Sequence, residues 1–75
     1  MQEYTNRYGM TFKVGQVGTL TRRFKMHDGE KLTITGFTPT GRFMHTENER
    51  GTRYSFTTES QILRGSHMGN CKITF

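Results

Sequence analysis

Residues 31–37 alternate, with Leu32, Ile34 and Gly36 on one parity and Lys31, Thr33, Thr35 and Phe37 on the other. Successive side chains of a strand point to opposite faces, so a period of two marks a strand with one face against a core. The same period recurs along the chain. It predicts a short strand over 11–14, after a loop at 4–9, and another over 17–25, with Val17, Thr19, Thr21 and Arg23 on one face and Gly18, Leu20, Arg22 and Phe24 on the other. Residues 42–46 and 52–57 are expected to pair as a hairpin. A last strand is expected over 71–75, where Cys71, Ile73 and Phe75 share a face. No window of about a dozen residues keeps a helical stripe free of glycine and threonine.

Turn chemistry separates these runs. Gly15-Gln16 permits a tight bend, His27-Asp28-Gly29-Glu30 holds an Asp-Gly pair that readily takes positive φ, and Thr38-Pro39-Thr40-Gly41 forces a reversal. The tip 47–53 is longer than a tight hairpin needs and is expected to project as a recognition loop. After it, Thr58 or Ser60 can cap one helical or 3₁₀ turn over 58–63, with Ile62 and Leu63 plugging the end of a barrel. Short strands, tight turns and one helical turn predict an all-β fold: a small five-stranded SH3-like barrel, one basic domain spanning residues 1–75. Closure removes the edges that a flat sheet would expose. A three-stranded sheet backed by a short helix is the alternative. The expected core is aromatic, with Phe12, Phe24, Phe37, Phe43, Tyr54 and Phe56, helped by Val14, Val17, Leu20, Leu32, Ile34, Ile62 and Leu63.

Composition then bounds what such a domain does. A chain of 75 residues, 31% hydrophobic, has room for one core and no second lobe to close over a substrate. A domain of this size nets only about 3–5 kcal/mol, so a homodimer or a partner is an expected source of further stability. Eleven Lys and Arg against six acids leave a net charge of +5, which concentrates polyanions around the molecule, nucleic acid foremost. The basic groups fall in three places: Arg22, Arg23 and Lys25 on the second expected strand, Lys31 after its turn, and Arg42, Arg50 and Arg53 on the hairpin. Arginine grips phosphate in bidentate fashion, and Tyr4, Tyr8, Phe37, Phe43 or Tyr54 would add base stacking where exposed. Arg22, Arg23, Lys25, Lys31, Arg42 and Arg53 are therefore the expected nucleic-acid contacts. Glu47, Glu49 and Arg50 form an expected partner-binding loop, because acids and arginines interleave only there.

Other chemistry finds no support. His27, His45 and His67 lie at no metal-ligand spacing to one another or to Cys71, so no metal or cofactor is expected. A set of His45 with Asp28 or Glu47 near Ser55 or Ser60 lacks a nucleophile elbow, and Gly9, Gly15 and Gly18 follow no phosphate-loop spacing. The single Cys71 excludes an intramolecular disulfide and fits a reducing, cytoplasmic setting, with Cys71 itself expected in the core. No apolar run approaches the ~18 residues of a membrane span. Arg64-Gly65-Ser66-His67-Met68 coincides with the string that a cleaved purification tag leaves; it is read as native, and His67 is given no function.

Three stretches together carry a resemblance: Asn6-Arg7-Tyr8-Gly9-Met10-Thr11-Phe12-Lys13-Val14, Leu32-Thr33-Ile34-Thr35-Gly36-Phe37-Thr38-Pro39-Thr40-Gly41, and Gln61-Ile62-Leu63-Arg64-Gly65. They resemble a small β domain of bacteriophage proteins, the AP2-type or SH3-like DNA-binding appendages of HNH homing endonucleases. The shared features are an Asn, a Gly and a Phe leading into the first strand, a strand ending in Phe near Thr-Gly, and an Ile followed by Gly. The chain has no His-Asn-His nuclease motif, so no nuclease activity is implied. The resemblance implies a phage-like origin, residence in a host cytoplasm, and a DNA-binding or host-directed role. Two non-enzymatic functions are thus in view. One is sequence-tolerant binding of nucleic acid, DNA before RNA, through a basic strand face. The other is a protein-interaction module that binds and inhibits or redirects a host enzyme.

Overall fold

A computed structural model describes residues 1–22, 29–65 and 71–75. The strands are β1 (Glu3–Thr5), β2 (Thr11–Lys13), β3 (Val17–Arg22), β4 (Glu30–Phe37), β5 (Phe43–Glu47), β6 (Arg53–Thr57) and β7 (Cys71–Thr74). β1 and β2 form a two-stranded hairpin, and the other five form one antiparallel sheet in the order β6-β5-β4-β3-β7, curled into a half-barrel. Its outer strands are joined through residues 62 and 63: Leu63 bridges to Phe56 of β6, and Ile62 to Lys72 of β7.

That junction corrects the expected helical turn at 58–63. The Gln61 N–H does close one turn onto the Thr57 carbonyl at 2.8 Å, but Gln61 then takes a φ of 58° and the chain runs on extended. The Leu63 N–H donates to the Cys71 carbonyl at 2.9 Å and the Arg64 N–H to the Ser55 carbonyl at 2.8 Å. The open edges of β6 and β7 need backbone partners, and an extended pair supplies them where a helix would keep its groups to itself.

Seven apolar side chains are almost wholly buried: Leu20, Leu32, Ile34, Met44, Phe56 and Ile73 from the curled sheet, and Phe12 from the hairpin laid across it. Each contributes about 1.5–3 kcal/mol relative to an exposed position. Val14 and Val17, expected inside, are 36% and 54% exposed, because Val17 takes the parity opposite to Leu20. Phe43 likewise faces outward, and its neighbour Met44 fills the core. Phe37 reaches the core through a bulge: Ile34 pairs with Thr46 but Gly36 with His45, and the extra residue, Thr35, brings Phe37 opposite Met44. Phe24 lies outside the described residues.

The expected loop at 4–9 is in part β1, with Tyr4 paired to Phe12. Its placement is long-range. A Cβ built on Gly41, whose φ is +78°, would lie 2.2 Å from the Tyr4 ring, and that ring also sits 6.4 Å from Phe37. Only glycine leaves room there for the hairpin to dock.

The tip of β5–β6 is shorter than the expected 47–53, since Glu47 and Arg53 are paired strand residues and only residues 48–52 form the loop. Asn48 accepts the Arg50 and Thr52 N–H groups on Oδ1 at 2.9 and 2.8 Å, the Gly51 N–H donates to the Asn48 carbonyl, and Asn48 is itself buried. Asn6 repeats this set on β1–β2, accepting the Tyr8 and Met10 N–H groups at 2.9 and 3.0 Å, with Gly9 in the place of Gly51. Both glycines hold positive φ, 83° and 85°. Each Asn then donates from its side-chain Nδ2 to anchor the tip, Asn6 to the Thr58 carbonyl at 2.8 Å and Asn48 to the Glu30 carboxylate.

Candidate nucleic-acid interface

The four expected contacts that are described, Arg22, Lys31, Arg42 and Arg53, do not form one face. Arg22 falls on the inward parity of β3 with Leu20 and is half-buried, its Nε fully so. Arg23 and Lys25 lie outside the described residues. Lys31 is exposed on the outer face of β4, where its Nζ donates to Thr19 Oγ1 at 3.2 Å. Arg53 is exposed on β6 but stands 3.7 Å from the Glu47 carboxylate, its cross-strand partner. Arg50 lies 3.5 Å from Glu30, whose side chain is only 15% exposed. Lys31 and Arg50 therefore share a cleft with Glu30 and Glu49, and its charges are balanced. Such surface pairs contribute little stability, about 0–1 kcal/mol, yet they cancel the field an incoming phosphate would meet.

The opposite end of the β5–β6 ladder differs. Phe43 pairs with Thr57 there and turns its ring outward. The guanidinium of Arg42 lies 5.7 Å from the ring centroid and that of Arg64, arriving from the segment that bridges β6 to β7, lies 5.0 Å from it. Both arginines are exposed, and among the described residues neither has a carboxylate within ion-pair distance. A cation over an aromatic face gains about 0.5–1 kcal/mol at an exposed site, enough to bias two long side chains toward one place while their N–H groups stay available. Of this cluster only Arg42 was an expected contact. Arg64 is 21 residues from Phe43, and no local pattern links them.

Three more elements meet at this end. The Thr58 N–H donates to the Arg42 carbonyl at 3.0 Å, and Thr58 Oγ1 to the Gly41 carbonyl at 2.6 Å, which ties the turn after β6 to the start of β5. The β1–β2 tip is held to the same turn through Asn6 and through Arg7, whose Nε lies 3.1 Å from Glu59. Of the aromatics considered for stacking, Tyr4 is half-buried against Gly41, and Phe37 and Tyr54 are half-buried against the core. Tyr8, at the β1–β2 tip, is 69% exposed.

His45 and Ser55, two members of the set that lacks a nucleophile elbow, face each other across β5 and β6, Nδ1 to Oγ at 2.9 Å. The contact fixes the imidazole on the outer face beside Phe43. Among the described residues no group of three or more His, Cys, Asp or Glu is placed to hold a metal ion. Among them, too, no helix is long and apolar enough to cross a membrane. No family model, curated protein or solved structure matches the chain.

Proposed function

We propose that this domain binds nucleic acid without catalysing a reaction, gripping phosphates with Arg42 and Arg64 on the outer end of β5–β6. The observation that carries the reading is the pair of guanidiniums, both over Phe43 and both without a carboxylate partner among the described residues. A net charge of +5 draws the polyanion in, and two arginines converging on one ring offer adjacent bidentate grips. Contacts of this kind read no bases, so binding is tolerant of sequence. The resemblance to phage DNA-binding appendages points the same way.

The test is charge reversal. A protein carrying Arg42→Glu and Arg64→Glu should lose binding to labelled oligonucleotides by tenfold or more in low salt while keeping its melting temperature within a few degrees. Both side chains are exposed, and surface changes usually stay within about 0.5 kcal/mol. Unchanged affinity in the folded variant would refute the assignment.

The second reading, an interaction module that occupies a host protein, rests on the balanced end, where Arg50 pairs with Glu30 and Arg53 with Glu47 beside exposed Glu49. Interleaved charges repel a phosphate backbone in part and match a protein surface better. Retention of a protein partner by the Arg42→Glu, Arg64→Glu variant would favour it.

A further inference from the structure

Resting on that reading, we infer that the nucleic acid bound is single-stranded, with Tyr8 as the platform on which an unpaired base stacks. Four observations converge on this position. Tyr8 sits two residues beyond Asn6 at the tip of β1–β2, and Asn6 Oδ1 accepts its N–H at 2.9 Å, so its backbone is held although its side chain is 69% exposed. The Arg7 guanidinium lies 5.9 Å from the ring centroid and is itself held by Glu59 at 3.1 Å, which stiffens the approach to the ring. The tip is pinned to the Thr58 carbonyl, and Thr58 bonds in turn to the Arg42 carbonyl, so tyrosine and phosphate grips belong to one end of the molecule. Finally, Asn48 builds the same loop on β5–β6 but places Arg50 where Asn6 places Tyr8, so the fold of the tip does not itself demand an aromatic there.

The chemistry then selects the ligand. An exposed ring gains from a base only if the face of that base is free, and in a duplex the faces are stacked on one another. Base–aromatic stacking strengthens binding and tolerates any sequence, which matches phosphate grips that read none. DNA and RNA single strands share this chemistry and differ in the 2′-hydroxyl and the thymine methyl.

The experiment compares four labelled probes of equal length by fluorescence anisotropy: single-stranded DNA, single-stranded RNA, the DNA duplex, and an abasic strand with phosphates but no bases. The parent should bind the base-bearing single strands more tightly than the abasic strand. Tyr8→Ala should weaken the base-bearing single strands by roughly tenfold and leave the abasic strand and the duplex unchanged. The chain has no tryptophan, so Tyr8→Trp would carry a single reporter whose emission should be quenched by the single strands and not by the abasic one. Equal affinity of Tyr8→Ala and parent for every probe would overturn the inference and leave the phosphate grip standing. Failure of the parent to bind any probe would overturn both.

Discussion

Asn6 and Asn48 each satisfy two backbone N–H groups of a tip and fasten that tip to another element. Replacing either by alanine leaves those N–H groups without their acceptor and removes the anchor, a loss of about 1–3 kcal/mol. In a domain of this size that lowers the melting temperature by roughly 4–20 °C, and thermal melts of Asn6→Ala and Asn48→Ala should show it. A melt like the parent's would mean that water replaces the side chain at no cost. This device was open to a sequence reader. Asn6-Arg7-Tyr8-Gly9 and Asn48-Glu49-Arg50-Gly51 share Asn and Gly at one spacing, and noticing the match would have turned an apparent insertion into a tight loop. Arg22 was legible too, since its parity follows from Leu20.

The strands divide into those set by their own pattern and those set by distant neighbours. Alternation at Leu32 and Ile34, at Leu20 and at Ile73 reads directly as inward positions, because each lies on a strand with one face to the core and one to solvent. The Thr35 bulge breaks that rule in mid-strand and leaves no mark in the alternation. β1 has the weakest signature, three residues with one half-buried, because its place depends on the fit of Tyr4 over Gly41. Gly41→Ala should therefore release the β1–β2 hairpin rather than unfold the sheet: the added Cβ would meet the Tyr4 ring at 2.2 Å on a backbone with φ +78°. Amide exchange should accelerate at the backbone N–H groups that pair β1 with β2, while those of β4 and β5 keep their protection. Equal acceleration everywhere would show that the hairpin and the sheet open together.

For the whole molecule, charge is distributed unevenly around a nearly symmetric device. Two tips of the same construction stand on β1–β2 and β5–β6; the first, which carries Tyr8, is tied through Thr58 to Arg42, and the second sets Arg50 3.5 Å from Glu30. Period two announced the curled sheet, and net charge motivates the polyanion partner proposed above. The meeting of Arg64 with Phe43 could not be read, because it depends on residues 62 and 63 crossing from β6 to β7 to close the sheet. The proposed grip requires these two arginines to neutralise phosphates, and counterion release measures that directly. The affinity of the parent for a single-stranded oligonucleotide, followed from low to physiological salt, should fall steeply. The Arg42→Ala, Arg64→Ala protein should show a slope of log K against log salt shallower by about 1.4, the expectation for two lost phosphate contacts on a single strand. Parallel lines for the two proteins would contradict the account.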